Sequence, residues 1–300
     1  MGQPCLLVTG AAGFTGRHLI SQAKRDGYRC VAIVQPGGKN LTIADNTCAA
    51  DVLDSQQLEV IIQQFKPDYI VHLAAISFVA HGNSAEIYRV NQLGTLNLLD
   101  AVRKHRPAVK KVLIASSANI YGNATVLPIT EAAQPDPINH YGVSKVAMEL
   151  IAQLYDDLPI VISRPFNYTG CGQARCFLIP KLVDAFRGKQ ETIELGNLSV
   201  SRDISDVRDV VRAYLKLLTH DTPDRVYNVC SGFPTPLLTV VDLLNDLAGY
   251  RIHTKVSSDF VRRDEINTLY GSPASLESVI GCYREFTLEQ TLAWMLERRE

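Results

Sequence analysis

The chain has few of the features that mark membrane-spanning, secreted or nucleic-acid-binding proteins. Its apolar runs, such as residues 73–76, are far shorter than a bilayer span, and its N-terminus has no charged segment followed by a long apolar one. Lysine and arginine together number 30, against 31 aspartates and glutamates, so no basic excess indicates a nucleic-acid or membrane partner. We therefore expect a cytoplasmic protein that binds neither.

The cysteines show no paired pattern. The seven cysteines form an odd set without a CxxC pair, and several lie inside apolar runs. We expect reduced thiols in the core, no disulfide framework and no bound metal. Cys171 and Cys176 lie in a glycine-rich stretch and could instead lie near a site; the others are Cys5, Cys30, Cys48, Cys230 and Cys282.

The first half of the chain alternates short β-branched runs with longer helical patterns. The runs at 5–9, 30–34, 69–73, 112–115 and 160–163 predict strands, and the stretches 15–25, 55–65, 86–104 and 141–154 predict helices. Such alternation predicts an α/β fold with a doubly wound parallel sheet. Its cleft should lie at the carboxyl ends of the strands.

After Pro165 the alternation gives way to loops rich in glycine and proline. Helices are predicted at about 178–187, 206–218, 240–247 and 288–297, with isolated strands between them. We therefore expect a larger domain over residues 1–165, to which later segments return, and a smaller C-terminal α/β region over residues 166–300.

Glycines three residues apart connect the first predicted strand to the first predicted helix. Gly10 permits a tight turn, Gly13 lets the backbone approach a pyrophosphate, and Gly16 allows close packing of the helix. The start of the helix, at Phe14 and Thr15, supplies N–H groups and positive partial charge. This context predicts that residues 1–165 bind a dinucleotide and that residues 166–300 mainly bind the substrate.

The second predicted strand ends without the acidic residue that usually binds the ribose 2′-hydroxyl of NAD. Gln35 stands near this point, with Lys39 as the nearest cation in the sequence. Because no carboxylate would repel a 2′-phosphate, we favour NADP and leave NAD open. Further cofactor contacts are predicted on two later loops, at Asp51, Val52, Leu73, Ala74 and Ala75.

Tyr141 and Lys145 are placed at positions i and i+4 of a predicted helix, and therefore on one face of it. A phenol with a pKa of about 10 is a poor acid–base group at neutral pH, but a nearby ammonium favours its phenolate form. The pair could exchange a proton with a carbinol or carbonyl oxygen while a hydride moves to or from a nicotinamide ring. Ser117 lies between these motifs, in the loop SSANIYG at 116–122.

Together these motifs resemble those of the extended short-chain dehydrogenase/reductases that act on nucleotide sugars, which have a Rossmann fold. The similarity covers nearly the whole chain and includes the glycine-rich turn, HLAA at 72–75, NQLGT at 91–95, SSANIYG, YGVSK at 141–145 and RPFN at 164–167. The resemblance implies that Tyr141 is the acid–base residue. It also implies that Lys145 binds the nicotinamide ribose and lowers the tyrosine pKa, and that Ser117 hydrogen-bonds the sugar oxygen.

The second half resembles the GDP-sugar branch of this family. Residues 195–203 are similar to a segment of GDP-mannose 4,6-dehydratases, and residues 227–232 and 262–265 resemble GDP-4-keto-6-deoxy-mannose reductases. Arginine forks suit a diphosphate, and a glutamate could accept from guanine or from a ribose hydroxyl. The implied substrate contacts are Ser77, Asn119, Asn167, Asn197, Arg202, Arg262 and Glu265.

The loop SSANIYG contains no carboxylate. Dehydratases of the family place an acidic residue just after the loop serine or threonine to remove a sugar proton, whereas this chain has Ala118 and Asn119. An amide cannot take up a proton near neutral pH, but hydride transfer requires only Ser117, Tyr141 and Lys145. We therefore predict NAD(P)H-dependent reduction of the 4-keto group of a GDP-4-keto-6-deoxyhexose, giving GDP-rhamnose or GDP-6-deoxy-talose.

Other functions remain open at this point. A nucleotide-sugar 4-epimerase, or a dehydratase with an unrecognised base, would use the same residues but regenerate its cofactor in each cycle. A dinucleotide-sensing regulator could keep the fold without the chemistry, because fold alone does not prove function.

Two of the predicted helices, near residues 91–104 and 141–154, carry more apolar side chains than one buried face requires. In related enzymes the corresponding helices pair with their copies in a four-helix interface. Burial against the sheet accounts for only part of each set, so we expect a homodimer. The residues concerned are Leu93, Leu96, Leu98, Leu99, Val146, Met148, Leu150 and Ile151.

Overall fold

A computed structural model describes residues 2–38, 40–77, 82–106, 108–257 and 266–298. Lys39, Arg262 and Glu265 lie outside the described residues. The strands are β1 (Cys5–Thr9), β2 (Arg29–Val34), β3 (Asn46–Ala49), β4 (Tyr69–His72), β5 (Lys111–Ala115), β6 (Ile160–Pro165), β7 (Asn167–Thr169), β8 (Thr192–Leu195), β9 (Ser201–Arg202), β10 (Ile204–Asp206), β11 (Val226–Val229), β12 (Thr235–Pro236), β13 (His253–Val256) and β14 (Thr268–Leu269).

The α-helices are α1 (Phe14–Arg25), α2 (Ser55–Phe65), α3 (Ser84–Tyr88), α4 (Gly94–His105), α5 (His140–Gln153), α6 (Leu178–Arg187), α7 (Val207–Thr219), α8 (Leu237–Ala248), α9 (Ala274–Ile280) and α10 (Leu288–Glu297). A π-helical segment (Arg89–Leu93) and a 3-10 turn (Ala118–Tyr121) accompany them. Within the described ranges no helix has the length and apolar character needed to cross a bilayer.

Seven parallel strands form the central sheet, in the order β11-β6-β5-β4-β1-β2-β3. β1 pairs with β2 on one side and with β4 on the other, so Thr9 has Ile33 and His72 as its neighbours. The strand order reverses between β1 and β4, which places a crevice at their carboxyl ends. The structure confirms the predicted doubly wound α/β fold.

Helices cover both faces of this sheet because successive strand side chains enter two different apolar layers. Leu6 and Val8 of β1 pack with residues of α1 and α7, whereas Leu7 packs with residues of α2, α4 and α5. Every residue of β1 is buried, as expected for a parallel strand that is covered on both sides. The two layers hold the strand ends, and the loops that follow them, in place.

The sheet has two strands that the sequence prediction lacks. β3 is a short polar strand at one edge, and β11 returns from the second half of the chain to the other edge. The predicted helix 86–104 is also interrupted, since α3 leads into the π-helical segment before α4 begins at Gly94. This segment places Asn91 in the interior, where it is fully buried.

A smaller layer of the second half lies beside the sheet. α6, α8 and α10 share an apolar cluster with β8, and short strands form three small sheets: β7 with β10, β8 with β13, and β9 with β12 and β14. β7 follows β6 almost directly, so the smaller layer is joined to the sheet at its carboxyl edge.

The cysteines depart in part from the expected core positions. Cys5, Cys30 and Cys230 are buried, Cys48 and Cys171 are half-buried, and the remaining two, Cys176 and Cys282, are exposed. The two exposed cysteines lie outside helices and strands, so they are not buried between the sheet and its helices. All seven cysteines are free thiols.

Leu113 of β5 provides a test of this packing, since it is fully buried against the α1 and α7 layer. Leu113→Ala should lower the free energy of unfolding by about 2–5 kcal/mol because a cavity is left behind. Val60→Ala, at a position of α2 that is 60% exposed, should change it by less than about 0.5 kcal/mol. Urea denaturation measures both, and equal losses would contradict the placement of β5.

Candidate active site

A cleft of about 810 Å³ opens at the carboxyl ends of β1, β4, β5 and β6. Segments that are far apart in the sequence meet there, and most of the predicted site residues line the cleft. These residues are Gly10, Gly13, Phe14, Thr15, Gly16, Gln35, Leu73, Ala74, Ala75, Ser77, Ser117, Asn119, Tyr141, Lys145, Asn167, Asn197 and Arg202.

Asp51 and Val52 are described by the structure but are not among the residues that line the cleft. The Asp51 carboxylate accepts from the Leu53 N–H at 2.9 Å. The Val52 carbonyl accepts from the Asn97 amide at 3.1 Å. Their contact with an adenine stays a prediction, as do the substrate contacts of Arg262 and Glu265 beyond the described residues.

Close backbone contacts shape the glycine-rich turn. Gly10 has a φ of +66°, and a Cβ at this position would lie 2.7 Å from the Ala74 nitrogen. A Cβ on Gly16 would lie 2.6 Å from the carbonyl oxygens of Gly10 and Ala11. Any larger residue at either position would have to displace backbone, so the loop at 73–75 lies directly against the turn.

The N-terminus of α1 follows this turn and fits the pyrophosphate of a dinucleotide. Gly13 is its N-cap and makes no side-chain cap hydrogen bond, and the first turn has no acidic residue. Free N–H groups and the positive end of the helix dipole favour an anion at such a helix start. Gly13, Phe14 and Thr15 all line the cleft.

His72 connects the glycine-rich turn to α4. Its Nδ1 lies 2.7 Å from the Thr9 hydroxyl, which also accepts from the Ala74 N–H at 3.2 Å, and its Nε2 lies 3.0 Å from the Thr95 hydroxyl. Burial, reinforced by the Lys145 ammonium, lowers the pKa of His72 to about 3. The ring is therefore neutral and links β1, β4 and α4 through hydrogen bonds.

Tyr141 and Lys145 of α5 are both buried at the cleft. The Lys145 ammonium lies 5.8 Å from the centroid of the Tyr141 ring and donates to the Ala115 carbonyl at 2.7 Å. Burial lowers the pKa of Lys145 to about 8, although Glu149 opposes this. The two side chains therefore share one face of α5, as the spacing predicts.

The pKa of the Tyr141 phenol is governed mainly by burial. Burial raises its pKa above the ordinary value, and the Ser117 hydroxyl only partly offsets this effect. Burial is therefore the largest influence on this pKa, and the lowering by Lys145 that the resemblance implies stays a prediction. At neutral pH the phenol is protonated and can act as an acid.

The loop with Ser117 presents a hydroxyl and an amide to the cleft. Ser117 caps the 3-10 turn, and its Oγ accepts from the Asn119 backbone N–H at 3.2 Å and from the Asn119 side-chain amide at 3.1 Å. Ala118 points away from solvent and is 1% exposed. Neither residue after Ser117 can therefore act as an acid or a base.

The charged residues of the cleft lining have one sign. Lys145, Lys181 and Arg202 line the cleft, and across the described ranges no aspartate or glutamate does. Arg202 also donates to the carbonyls of Ser201 and Asn267, at 3.0 and 3.2 Å. This part of the cleft suits an anionic ligand and supplies no carboxylate base.

Several lining residues are not among the site residues that the sequence predicts. Tyr168 stacks on Phe14 at a ring distance of 6.0 Å, and its hydroxyl lies 2.9 Å from the Thr15 hydroxyl. Lys181 enters from α6, which the sequence predicts as a helix without a role in the site. The position of Tyr168 directly after RPFN is the one hint that the sequence offers.

The comparisons with known proteins agree with this geometry. Residues 6–230 match the NAD dependent epimerase/dehydratase family. The chain belongs to this family. This confirms the prediction that the chain is an extended short-chain dehydrogenase/reductase. The protein is therefore an enzyme that uses a nicotinamide dinucleotide to modify a nucleotide sugar.

Two relatives match over almost their full length. GDP-6-deoxy-D-talose 4-dehydrogenase of Aggregatibacter actinomycetemcomitans is 35% identical over 285 residues, which cover 94% of this chain and 93% of that protein. GDP-6-deoxy-D-mannose reductase of Pseudomonas aeruginosa is 34% identical over 303 residues, which cover 97% and 95%. The structure of RMD from Pseudomonas aeruginosa complexed with NADPH has a TM-score of 0.84 and 32% identity, and the match covers 98% of both chains.

Gly10 offers a test of the turn with a matched control at Gly27. Both have positive φ, but a Cβ at Gly27 would meet nothing within 4 Å. Each substitution by alanine should lower the free energy of unfolding by roughly 1–2 kcal/mol, because alanine disfavours the left-handed backbone conformation at these positions. Only Gly10→Ala should also weaken NADPH binding, by about tenfold or more, because the loop at 73–75 must move. Fluorescence titration measures this, and equal affinities in the two variants would contradict the contact.

Proposed function

We propose that the protein uses NADPH to reduce the 4-keto group of a GDP-4-keto-6-deoxyhexose. The observation that carries this proposal is the chemistry of the cleft lining. In the part of the chain that the structure describes, the lining has hydroxyls, amides and cations but no carboxylate. Hydride transfer to a carbonyl needs a proton donor and a polarising group, both of which are present, whereas dehydration also needs a base for the C5 proton.

The roles of the three catalytic residues follow from their protonation and contacts. NADPH, when bound, supplies the hydride that adds to C4. Tyr141 gives its proton to the 4-keto oxygen, so the C=O bond becomes a C–OH bond, and burial keeps this phenol protonated beforehand. The Ser117 hydroxyl donates to the same oxygen and stabilises its developing negative charge. Lys145 stabilises the phenolate that remains and would bind the nicotinamide ribose.

The substrate class follows from the charge of the cleft and from the relatives. Lys181 and Arg202 provide cations for a diphosphate, and we assign the substrate contacts to residues of both halves: Ser77, Asn119, Asn167, Asn197 and Arg202. Both relatives above are named for GDP-6-deoxy sugars. Their two sugars differ at C4, so the proposal covers GDP-rhamnose and GDP-6-deoxy-talose as products.

We favour NADPH over NADH for the same electrostatic reason. Gln35 lines the cleft after β2, and no described acidic residue lines this part of the cleft to repel a 2′-phosphate. The RMD structure, which is 32% identical to this chain, contains NADPH.

The proposal predicts NADPH oxidation when the 4-keto sugar is generated in place from GDP-mannose by a GDP-mannose 4,6-dehydratase. Tyr141→Phe should lower the rate by about 100- to 10,000-fold, because general acid catalysis is lost, while NADPH affinity is retained. Absorbance of NADPH measures the rate. Turnover of GDP-mannose itself by the purified protein, without net NADPH oxidation, would contradict the proposal.

The activity should also depend on the Lys145 ammonium. Because burial lowers the pKa of Lys145 to about 8, kcat/KM for reduction should fall as the pH rises above that value, with a slope of one proton. The neutral amine no longer stabilises the phenolate that the reaction leaves. Circular dichroism over the same pH range controls for unfolding, and a flat profile up to about pH 10, the ordinary range for lysine, would argue against this role.

We further propose a homodimer formed by α4 and α5. Leu98, Leu99 and Met148 are buried in the core and are unavailable for it, which corrects part of the sequence-based set. Four apolar side chains on these helices or next to them are exposed instead: Leu93 (47%), Val143 (40%), Leu150 (56%) and Leu154 (73%). Such an apolar face is typical of a helix-pairing interface.

Leu150→Glu should turn this dimer into a monomer, because it places a charge within the paired faces. Val60→Glu, on the exposed face of α2, is the matched control and should leave the mass unchanged. Light scattering after size-exclusion chromatography measures the mass. A wild-type monomer, or a dimer that survives Leu150→Glu, would rule out this interface.

A further inference from the structure

The Ser117 hydroxyl receives two hydrogen bonds from a single residue. The Asn119 backbone N–H donates to Ser117 Oγ at 3.2 Å, and the Asn119 side-chain Nδ2 donates to the same oxygen at 3.1 Å. A hydroxyl has one hydrogen to donate and two lone pairs to accept with. Asn119 therefore engages both lone pairs and leaves Ser117 only its hydrogen for any further contact.

The remaining hydrogen of Ser117 has the Tyr141 phenol oxygen within hydrogen-bonding reach, and in the proposed reaction the 4-keto oxygen of the substrate receives it. The Ser117 side chain acts on the Tyr141 phenol as a hydrogen-bonding group that lowers its pKa, against the larger effect of burial. A hydroxyl that hydrogen-bonds to a phenol and lowers its pKa stabilises the phenolate, which agrees with Ser117 being left with only its hydrogen to share. Asn119 therefore donates to Ser117, and Ser117 in turn donates to an oxygen at the reacting centre.

The backbone at Asn119 is held in place by α5 and by the rest of its loop. A Cβ on Gly142 would lie 2.7 Å from the Asn119 carbonyl oxygen, so α5 packs directly against this residue. At the far end of the loop, the buried Tyr121 hydroxyl donates to Asn228 at 2.7 Å and accepts from Arg164 at 2.9 Å. The loop is fixed on both sides, and Asn119 remains next to Ser117.

We infer that Asn119 is a positioning residue that makes Ser117 an obligate hydrogen-bond donor to the oxygen that gains negative charge in the reaction. A carbonyl oxygen accepts such a bond, and the bond strengthens as hydride addition places negative charge on that oxygen. The inference rests on the proposed ketone reduction and deepens it. An aspartate at position 119 would be of the same size but, when ionised, would accept the Ser117 hydrogen and remove it from the substrate.

Asn119→Asp is therefore the diagnostic variant, and Asn119→Ala is its control. With the 4-keto sugar, Asn119→Asp should lower kcat by about 100-fold at pH 8, the scale of losing one donor to a developing oxyanion, with KM changed far less. The loss should shrink as the pH falls and the carboxyl group gains a proton that it can donate. Asn119→Ala keeps the backbone donor, so its loss should be smaller and independent of pH.

A double-mutant cycle tests whether Asn119 acts through Ser117. In the Ser117→Ala background, Asn119→Asp should cause no further loss of kcat, because the hydroxyl on which it acts is absent, and any loss of a contact between Asn119 and the sugar should appear in KM. Equal losses in both backgrounds would overturn the inference. So would equal, pH-independent losses for Asn119→Asp and Asn119→Ala, which would indicate a merely structural effect.

A measurement without substrate separates this inference from the proposed function. The Tyr141 phenolate is titrated by its ultraviolet absorbance in the NADP⁺-bound protein. The absorbance of each variant is corrected by subtracting that of the same variant with Tyr141→Phe, which lacks this phenol. Asn119→Asp should reduce the phenolate fraction about tenfold at a given pH, equal to one pKa unit, and Asn119→Ala should reduce it less. An unchanged titration in Asn119→Asp would overturn the inference. If the wild type fails to reduce the 4-keto sugar, the proposed function fails, and the titration still decides the role of Asn119.

Discussion

A buried ammonium group organises the site. Lys145 is 3% exposed, and its ammonium donates to the Ala115 carbonyl at the end of β5. The nearby Glu149 carboxylate is engaged by Arg164 in two hydrogen bonds, of 3.0 and 2.7 Å, so it pairs with the guanidinium. The Lys145 charge thus lacks an ion-pair partner among the described residues, in an environment of low dielectric where charges interact strongly. It joins α5 to β5 and favours negative charge on an oxygen close to it.

The polarity of the cleft follows from this arrangement. The described lining carries cations and hydrogen-bond donors but no carboxylate, and Ser117 has its lone pairs already engaged by Asn119. Such a site stabilises an oxygen that gains negative charge, as a ketone does when hydride adds to it. The protonated Tyr141 phenol completes the set, because burial raises its pKa and keeps the proton that the product alcohol needs. The neutral His72 ring holds the glycine-rich turn against the same strands without adding charge.

The sequence predicted the parts of the site whose geometry is local. The glycine spacing at 10–16 and the placement of Tyr141 and Lys145 on one helical face depend only on neighbouring residues, and both motifs line the cleft. The edge strand β11 was missed because its partner β6 lies far away in the sequence, whereas β3 was missed because it is short and lacks an apolar run. Tyr168 reaches Thr15 only through the fold.

Other expectations depended on contacts that a sequence does not contain. Asp51 and Val52 follow a strand, as adenine contacts would, but they do not line the cleft, and they hydrogen-bond to Leu53 and to Asn97 of α4 instead. The raised pKa of Tyr141 reflects how deeply α5 is packed, and spacing alone gives no measure of burial. The donor role of Ser117 likewise requires the conformation of the 3-10 turn. The division of the chain at residue 165 stays a prediction.

The most direct test of the account follows the hydride itself. NADPH that carries deuterium at the transferable position of its nicotinamide is supplied with the GDP-4-keto-6-deoxyhexose, and the sugar product is read by NMR. The account predicts that one deuterium is incorporated at C4 of the product for each NADPH consumed, and that the protons at C3 and C5 are retained. The NMR signal of the C4 centre then identifies the product as GDP-rhamnose or GDP-6-deoxy-talose. An unlabelled nucleotide-sugar product, formed while the cofactor is recycled on the protein, would contradict it.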